Sequence, residues 1–210
     1  MKLLLELPYF TLMMVRQIKE ITAHNGRVWL SRQSKAEKVL RLTKGIYMGR
    51  DYYNQHKNDS DLVGMIASII QPHSYLSGEW VLQKYGVMTE GIFNITSVTV
   101  KHTREIVNPI GRFIYSHVAS PIFDGYSERE IDKILIREAS AAKALYDFFY
   151  LRKIPDSIGD DDYSIVEDLR LNLDHLAEEV RSEFGEWVKK YNSPKMIKIQ
   201  NNLRRSGWGL

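Results

Sequence analysis

The chain has 210 residues, 29 Lys/Arg against 26 Asp/Glu for a formal charge of +3, and no cysteine. That length allows one large domain or two small ones, and the missing cysteine excludes disulfides, thiolate zinc sites and a cysteine nucleophile. The charge is unevenly placed: residues 1–57 carry 11 basic and 4 acidic side chains, net +7, and the remainder 18 basic and 22 acidic, net −4, so one end is suited to a polyanion.

The opening Met1–Leu5 is interrupted by Glu6 and Pro8 before a leader-length apolar stretch forms. No run approaches the roughly 18 apolar residues that span a bilayer. A cytoplasmic protein without membrane contact is the expectation. Thr11 can cap a helix whose apolar positions Leu12, Val15, Ile18 and Ile21 recur three apart. His24-Asn25-Gly26 reads as its end, because Asn and Gly readily adopt left-handed backbone. A second short helix covers about Val28–Ala36. Val39–Leu42 and Ile46–Met48 then flank Thr43-Lys44-Gly45, the pattern of a β-hairpin.

Gly49–Ser60 is polar and reads as a linker. Asp61–Ile70 reads as a helix stopped by Pro72, and Ser77 can cap another over Gly78–Tyr85 that Gly86 closes. Ile95–Lys101 and Arg112–Val118 have strand composition, with a turn at Asn108-Pro109 and Gly111 between them. Ile134–Glu138 is a candidate third strand, and Ala141–Leu151 a strong helix. Ser164 and Glu167 form a capping box. Behind it Leu169, Leu173, Leu176, Val180, Phe184 and Trp187 trace a helical stripe. Pro194 breaks it, a basic helix covers Lys195–Arg205, and Ser206–Leu210 reads as a floppy tail.

No glycine-rich phosphate loop, G-x-S-x-G elbow or H-E-x-x-H motif occurs. His102 and His117 fall on neighbouring expected strands, two ligands without a third. Asp160–Asp162 has the composition to hold Mg²⁺, but carboxylates before a capping box also favour the helix dipole. Lys143 and Asp147 are four apart on one helix face, as in an ion pair; an active-site lysine would need an apolar pocket. The chain is therefore expected not to be an enzyme, and to need neither cofactor nor metal.

Helix, turn, helix and hairpin, with a basic excess, is the arrangement of a winged helix, in which one helix enters the major groove and the hairpin wing meets the backbone. The helix offers Ser31, Arg32, Gln33, Ser34 and Lys35 to base edges. Lys38, Arg41, Lys44 and Arg50 are suited to phosphate. A small basic module that binds protein, or nothing, has the same pattern.

Further residues carry a family resemblance. Leu7-Pro8-Tyr9-Phe10-Thr11, then Leu30-Ser31-Arg32, then Val39 to Tyr47 with its Lys44-Gly45-Ile46-Tyr47 ending, resemble the winged-helix start of AbiEi-type antitoxins. Ser74-Tyr75-Leu76-Ser77, Val81-Leu82 and Tyr85-Gly86 resemble the family's next block. Val98–Val100, Phe113–His117 and Ala139–Asp147 resemble later ones, so the likeness runs from about Leu7 to Arg205. Ala142 stands where the family usually has Glu, and Lys35–Lys38 lacks a glycine often found there. The resemblance implies an α+β protein: a winged helix-turn-helix domain over 1–57, then a mixed α/β antitoxin domain with C-terminal helices over 58–210. It further implies a bacterial type IV toxin–antitoxin (abortive infection, phage defence) function: a transcriptional regulator that represses its own operon by binding double-stranded operator DNA and counters a nucleotidyltransferase-like toxin. Tyr75, Ser77, Lys143 and Asp147 would mark the antitoxin domain. The rival readings are an antitoxin that works by protein contact alone and a small enzyme with an unrecognised site.

Overall fold

A computed structural model describes residues 2–88, 91 and 93–208. The protein is a mixed α+β structure with two sheets among the described residues. It opens with α1 (Lys2–Leu5), β1 (Phe10–Thr11), α2 (Leu12–Lys19), α3 (Ala23–Lys35), β2 (Val39–Thr43) and β3 (Ile46–Gly49). The three strands form an antiparallel sheet in the order β1-β3-β2. Thr11 caps α2 as its sequence suggests, its hydroxyl accepting from the Met14 N–H at 3.4 Å. His24-Asn25-Gly26 does not end that helix. Glu20, in left-handed backbone, does so, and Thr22 caps α3 by accepting from the Asn25 N–H at 3.2 Å. Gly26 lies inside α3 because α2 passes so close that a Cβ there would sit 2.8 Å from Leu12 Cδ1.

The segment expected as a linker contains a helix, α4 (Arg50–His56). Its Tyr52 is buried and donates to the Asp132 carboxylate at 2.9 Å, so apolar packing overrides the polar composition. The larger sheet follows in the order β6-β7-β5-β4-β9-β8, built from β4 (Ser74–Leu76), β5 (Asn94–Thr99), β6 (Arg104–Asn108), β7 (Gly111–His117), β8 (Tyr126–Ile131) and β9 (Ile134–Ala139). β4, β6 and β8 escape the sequence reading. The turn at Asn108 joins β6 to β7 rather than β5 to β7, and the Asn108 side chain accepts from the Ile110 and Gly111 N–H groups. β5 and β7 run parallel. His102 therefore lies in the loop after β5, and the His117 ring pairs with the Lys101 carbonyl oxygen instead.

α5 (Leu62–Ile70) packs on one face of this sheet, where Gly64 meets Ile136 and Leu76. α6 (Glu79–Lys84) follows β4, and α7 (Ala141–Leu151) covers the opposite face, on which Tyr75 lies. The apolar stripe over 169–187 is not one helix. α8 (Ile165–Asp168) stops before Arg170, which has positive φ, and Leu171 forms a strand-like bridge with Met88. Leu173 and Leu176 are buried from an irregular segment before α9 (Glu178–Tyr191) and α10 (Pro194–Arg205). Trp208 is buried, its indole donating to the Leu173 carbonyl at 3.1 Å, so that part of the expected tail is anchored. Gly209 and Leu210 lie outside the described residues.

Two apolar clusters result among the described residues. The smaller joins Leu4, Leu5, Phe10, Val15, Leu30 and Val39. The larger fills the main body and also takes in Leu40, Leu42, Met48 and Tyr52. No helix among the described residues is long and apolar enough to cross a membrane.

Candidate functional site

The basic N-terminal region presents two surfaces, one face of α3 and the tip of the hairpin. An α-helix advances about 100° per residue. On α3 the buried Gly26 and Leu30 mark the inner side, and the exposed residues His24, Arg27, Ser31 and Lys35 run down the outer side at spacings of 3, 4 and 4. Arg32 is exposed on one flank of this stripe. Gln33 is about 180° from His24, half-buried, and its Oε1 is buried without a partner among the described residues. It points away from the surface it was expected to serve. Ser34 is half-buried as well, in the last turn of the helix.

Lys44 and Gly45 form the hairpin turn, Gly45 with φ of +83°, and Lys44 is exposed. Arg41 is exposed too, its Nε donating to the Thr43 carbonyl at 3.4 Å. Lys38 is exposed where the chain leaves α3. Arg50 belongs elsewhere: it is half-buried at the start of α4, and its Nε donates to the Glu37 carbonyl at 3.1 Å, closing the turn after α3. The structure thus groups Ser31, Arg32, Lys35, Lys38, Arg41 and Lys44 as exposed groups, and sets Gln33, Ser34 and Arg50 back from them. His24, Asn25 and Arg27 join the exposed set. Reading Thr22 as a cap would have found them, because it starts the helix one turn earlier.

Tyr75, Ser77, Lys143 and Asp147 converge, far apart in sequence, on one buried network. Asp147 and Lys143 are completely buried on α7. The Lys143 ammonium donates to one Asp147 oxygen and, at 3.0 Å, to the Tyr75 hydroxyl. The Tyr75 and Ser77 hydroxyls each donate to the other Asp147 oxygen at 2.8 Å. The rings of Tyr75, Tyr146, Trp187 and Tyr191 surround the ammonium with centroids 5.3–5.9 Å away. Gly125 closes the enclosure, since a Cβ there would lie 2.8 Å from Lys143 Cγ and 2.7 Å from the Trp187 ring. Burial pushes the Asp147 carboxyl up and the Lys143 ammonium down, and their mutual attraction opposes both shifts. Burial and the Asp147 charge raise the Tyr75 hydroxyl. With no exposed atom, Lys143 has no access to a substrate, and the network ties β4 to α7.

Beside it a groove of about 620 Å³ runs along the α7 side of the sheet, with Thr96, Val98 and Ile114 as floor and Phe148, Leu151 and Arg152 as wall. Phe93 at its rim is 87 % exposed. No protein-family model matches this sequence, and no curated protein matches it.

Proposed function

We propose that this chain is a DNA-binding autorepressor and antitoxin of the AbiEi type, with its DNA-binding part in 1–57 and its toxin-countering part in 58–210. One observation carries the DNA reading. The order helix, strand, helix, helix, hairpin, with the sheet order β1-β3-β2, supports a winged-helix reading, in which the helix α3 and the hairpin tip bear exposed basic side chains. A helix of that kind fits the major groove, and a basic hairpin tip fits the phosphate backbone. The antitoxin half rests on the family resemblance, to which the convergence of Tyr75, Ser77, Lys143 and Asp147 adds a shared structural role.

The test is binding of the full chain to a duplex of its own upstream region across a salt series. Lys44→Ala is expected to weaken binding to that duplex and to a scrambled one alike, and to lower the salt slope by about 0.9, the value of one phosphate contact. A full chain without affinity for any duplex at low salt refutes the DNA reading. For the antitoxin half, co-expression with the neighbouring gene product should relieve growth arrest, and a neighbour that is harmless alone refutes it. A second reading, an antitoxin that works by protein contact alone, draws on the open groove and the exposed Phe93.

A further inference from the structure

The exposed face of α3 carries the polar groups for base readout, but not the set that the sequence favours. In helix-turn-helix docking the base edges are met by the N-terminal part of the inserted helix. α3 begins at Ala23, so that part holds His24 and Arg27, both exposed on the stripe that Ser31 continues. Ser31, Arg32 and Lys35 come past the midpoint, toward the chain's exit to the exposed Lys38 and the hairpin. Gln33 faces inward. Arg27 has neither the backbone tether of Arg41 nor that of Arg50, and no partner of any kind among the described residues. Its guanidinium fork is free for a bidentate contact to guanine O6 and N7, which the flexible, less preorganised lysine ammonium makes less well.

Resting on the DNA-binding reading above, we infer that His24 and Arg27 read sequence, with Arg27 on a guanine, and that Arg32 and Lys35 hold phosphate. The experiment selects duplexes from a library with a randomised core, using the full chain and its Arg27→Ala, Arg27→Lys and Arg32→Ala variants, each checked for native circular dichroism. The native chain should enrich a motif containing an invariant guanine. Arg27→Ala should relax that position, with affinity for the selected site falling about 5- to 150-fold. Arg27→Lys should keep affinity for random duplex yet restore the guanine only in part. Arg32→Ala should weaken all duplexes without changing the motif. A motif unchanged in Arg27→Ala, or fully restored by Arg27→Lys, overturns the inference and leaves DNA binding standing. Motif loss in Arg32→Ala alone overturns it as well. A native chain that retains no duplex overturns the inference together with the reading beneath it.

Discussion

Removing one partner of the Lys143–Asp147 pair should be among the most damaging single changes in the molecule. Breaking a buried pair strands a charge without solvent and costs about 3–5 kcal/mol. The geometry ranks the two halves. In Lys143→Met the Asp147 carboxylate still accepts from Tyr75 and Ser77, which places the cost at the lower end. In Asp147→Leu the ammonium keeps one hydrogen-bond partner, the Tyr75 hydroxyl, besides the rings, which places it at the upper end. The double variant Lys143→Met/Asp147→Leu strands no charge, and its remaining cost is that of two hydroxyls without an acceptor, about 1–3 kcal/mol each at most. Urea unfolding followed by far-UV circular dichroism reads the difference. With a slope of about 2 kcal/mol/M, the single changes should lower the midpoint by about 1.5–2.5 M. The double variant should be more stable than Asp147→Leu. If the effects of the single changes add to that of the double within about 0.5 kcal/mol, the pair is uncoupled and the argument fails.

Gly49→Ala should destabilise more than Gly26→Ala, since its Cβ would lie 2.0 Å from the Leu5 carbonyl oxygen, a backbone atom, whereas at Gly26 the obstacle is the mobile end of Leu12; thermal unfolding should show a loss of about 1–3 kcal/mol at Gly49. Asp124 accepts from Lys190 at 2.6 Å and from the Gly125 N–H, which hold its carboxyl below the ordinary value. Its contribution is thus present above about pH 4 and lost as pH falls through the lowered folded value. The stability gap between the native chain and Asp124→Asn should close over that acid range, and a gap constant with pH contradicts the assignment. A 1–57 fragment would expose Leu40, Leu42, Met48 and Tyr52, which the main body covers, and it should lack the sharp amide dispersion in NMR that an independent fold gives.

Several elements are legible in the sequence because their signals are local. Thr11 before an amphipathic run, the Lys44-Gly45 turn between β-prone segments, and Pro194 at the start of the last helix each act within a few residues. Long-range partners decide the elements that sequence misses. β8 and β9 meet through Asp132-Lys133, both with positive φ, a conformation that glycine usually announces. Tyr52 makes a helix of a polar segment through Asp132, 80 residues away. The stripe from Leu169 to Trp187 has the helical period, yet Leu171 pairs with Met88 and Trp208 binds the Leu173 carbonyl. The four residues of the buried network span 73 positions from Tyr75 to Asp147. Only the spacing of Lys143 and Asp147 is visible locally, and it predicts an ion pair but not its burial.

The hairpin owes its placement to the alternation along β2. In a strand successive side chains point to opposite faces. Val39 enters the smaller cluster, Leu40 and Leu42 the larger, and Arg41 between them reaches solvent. The Asn108 side chain donates to the Leu42 carbonyl at 3.0 Å, engaging the outer edge of β2 with the turn between β6 and β7. Met48 on β3 and Tyr52 on α4 join the same core. The base of the hairpin is therefore held by both clusters, and the Lys44-Gly45 turn projects beyond them. A basic tip on a base fixed from both sides loses little further freedom when it meets a polyanion. This physical arrangement separates a preorganised contact from a charged loop that must first be ordered.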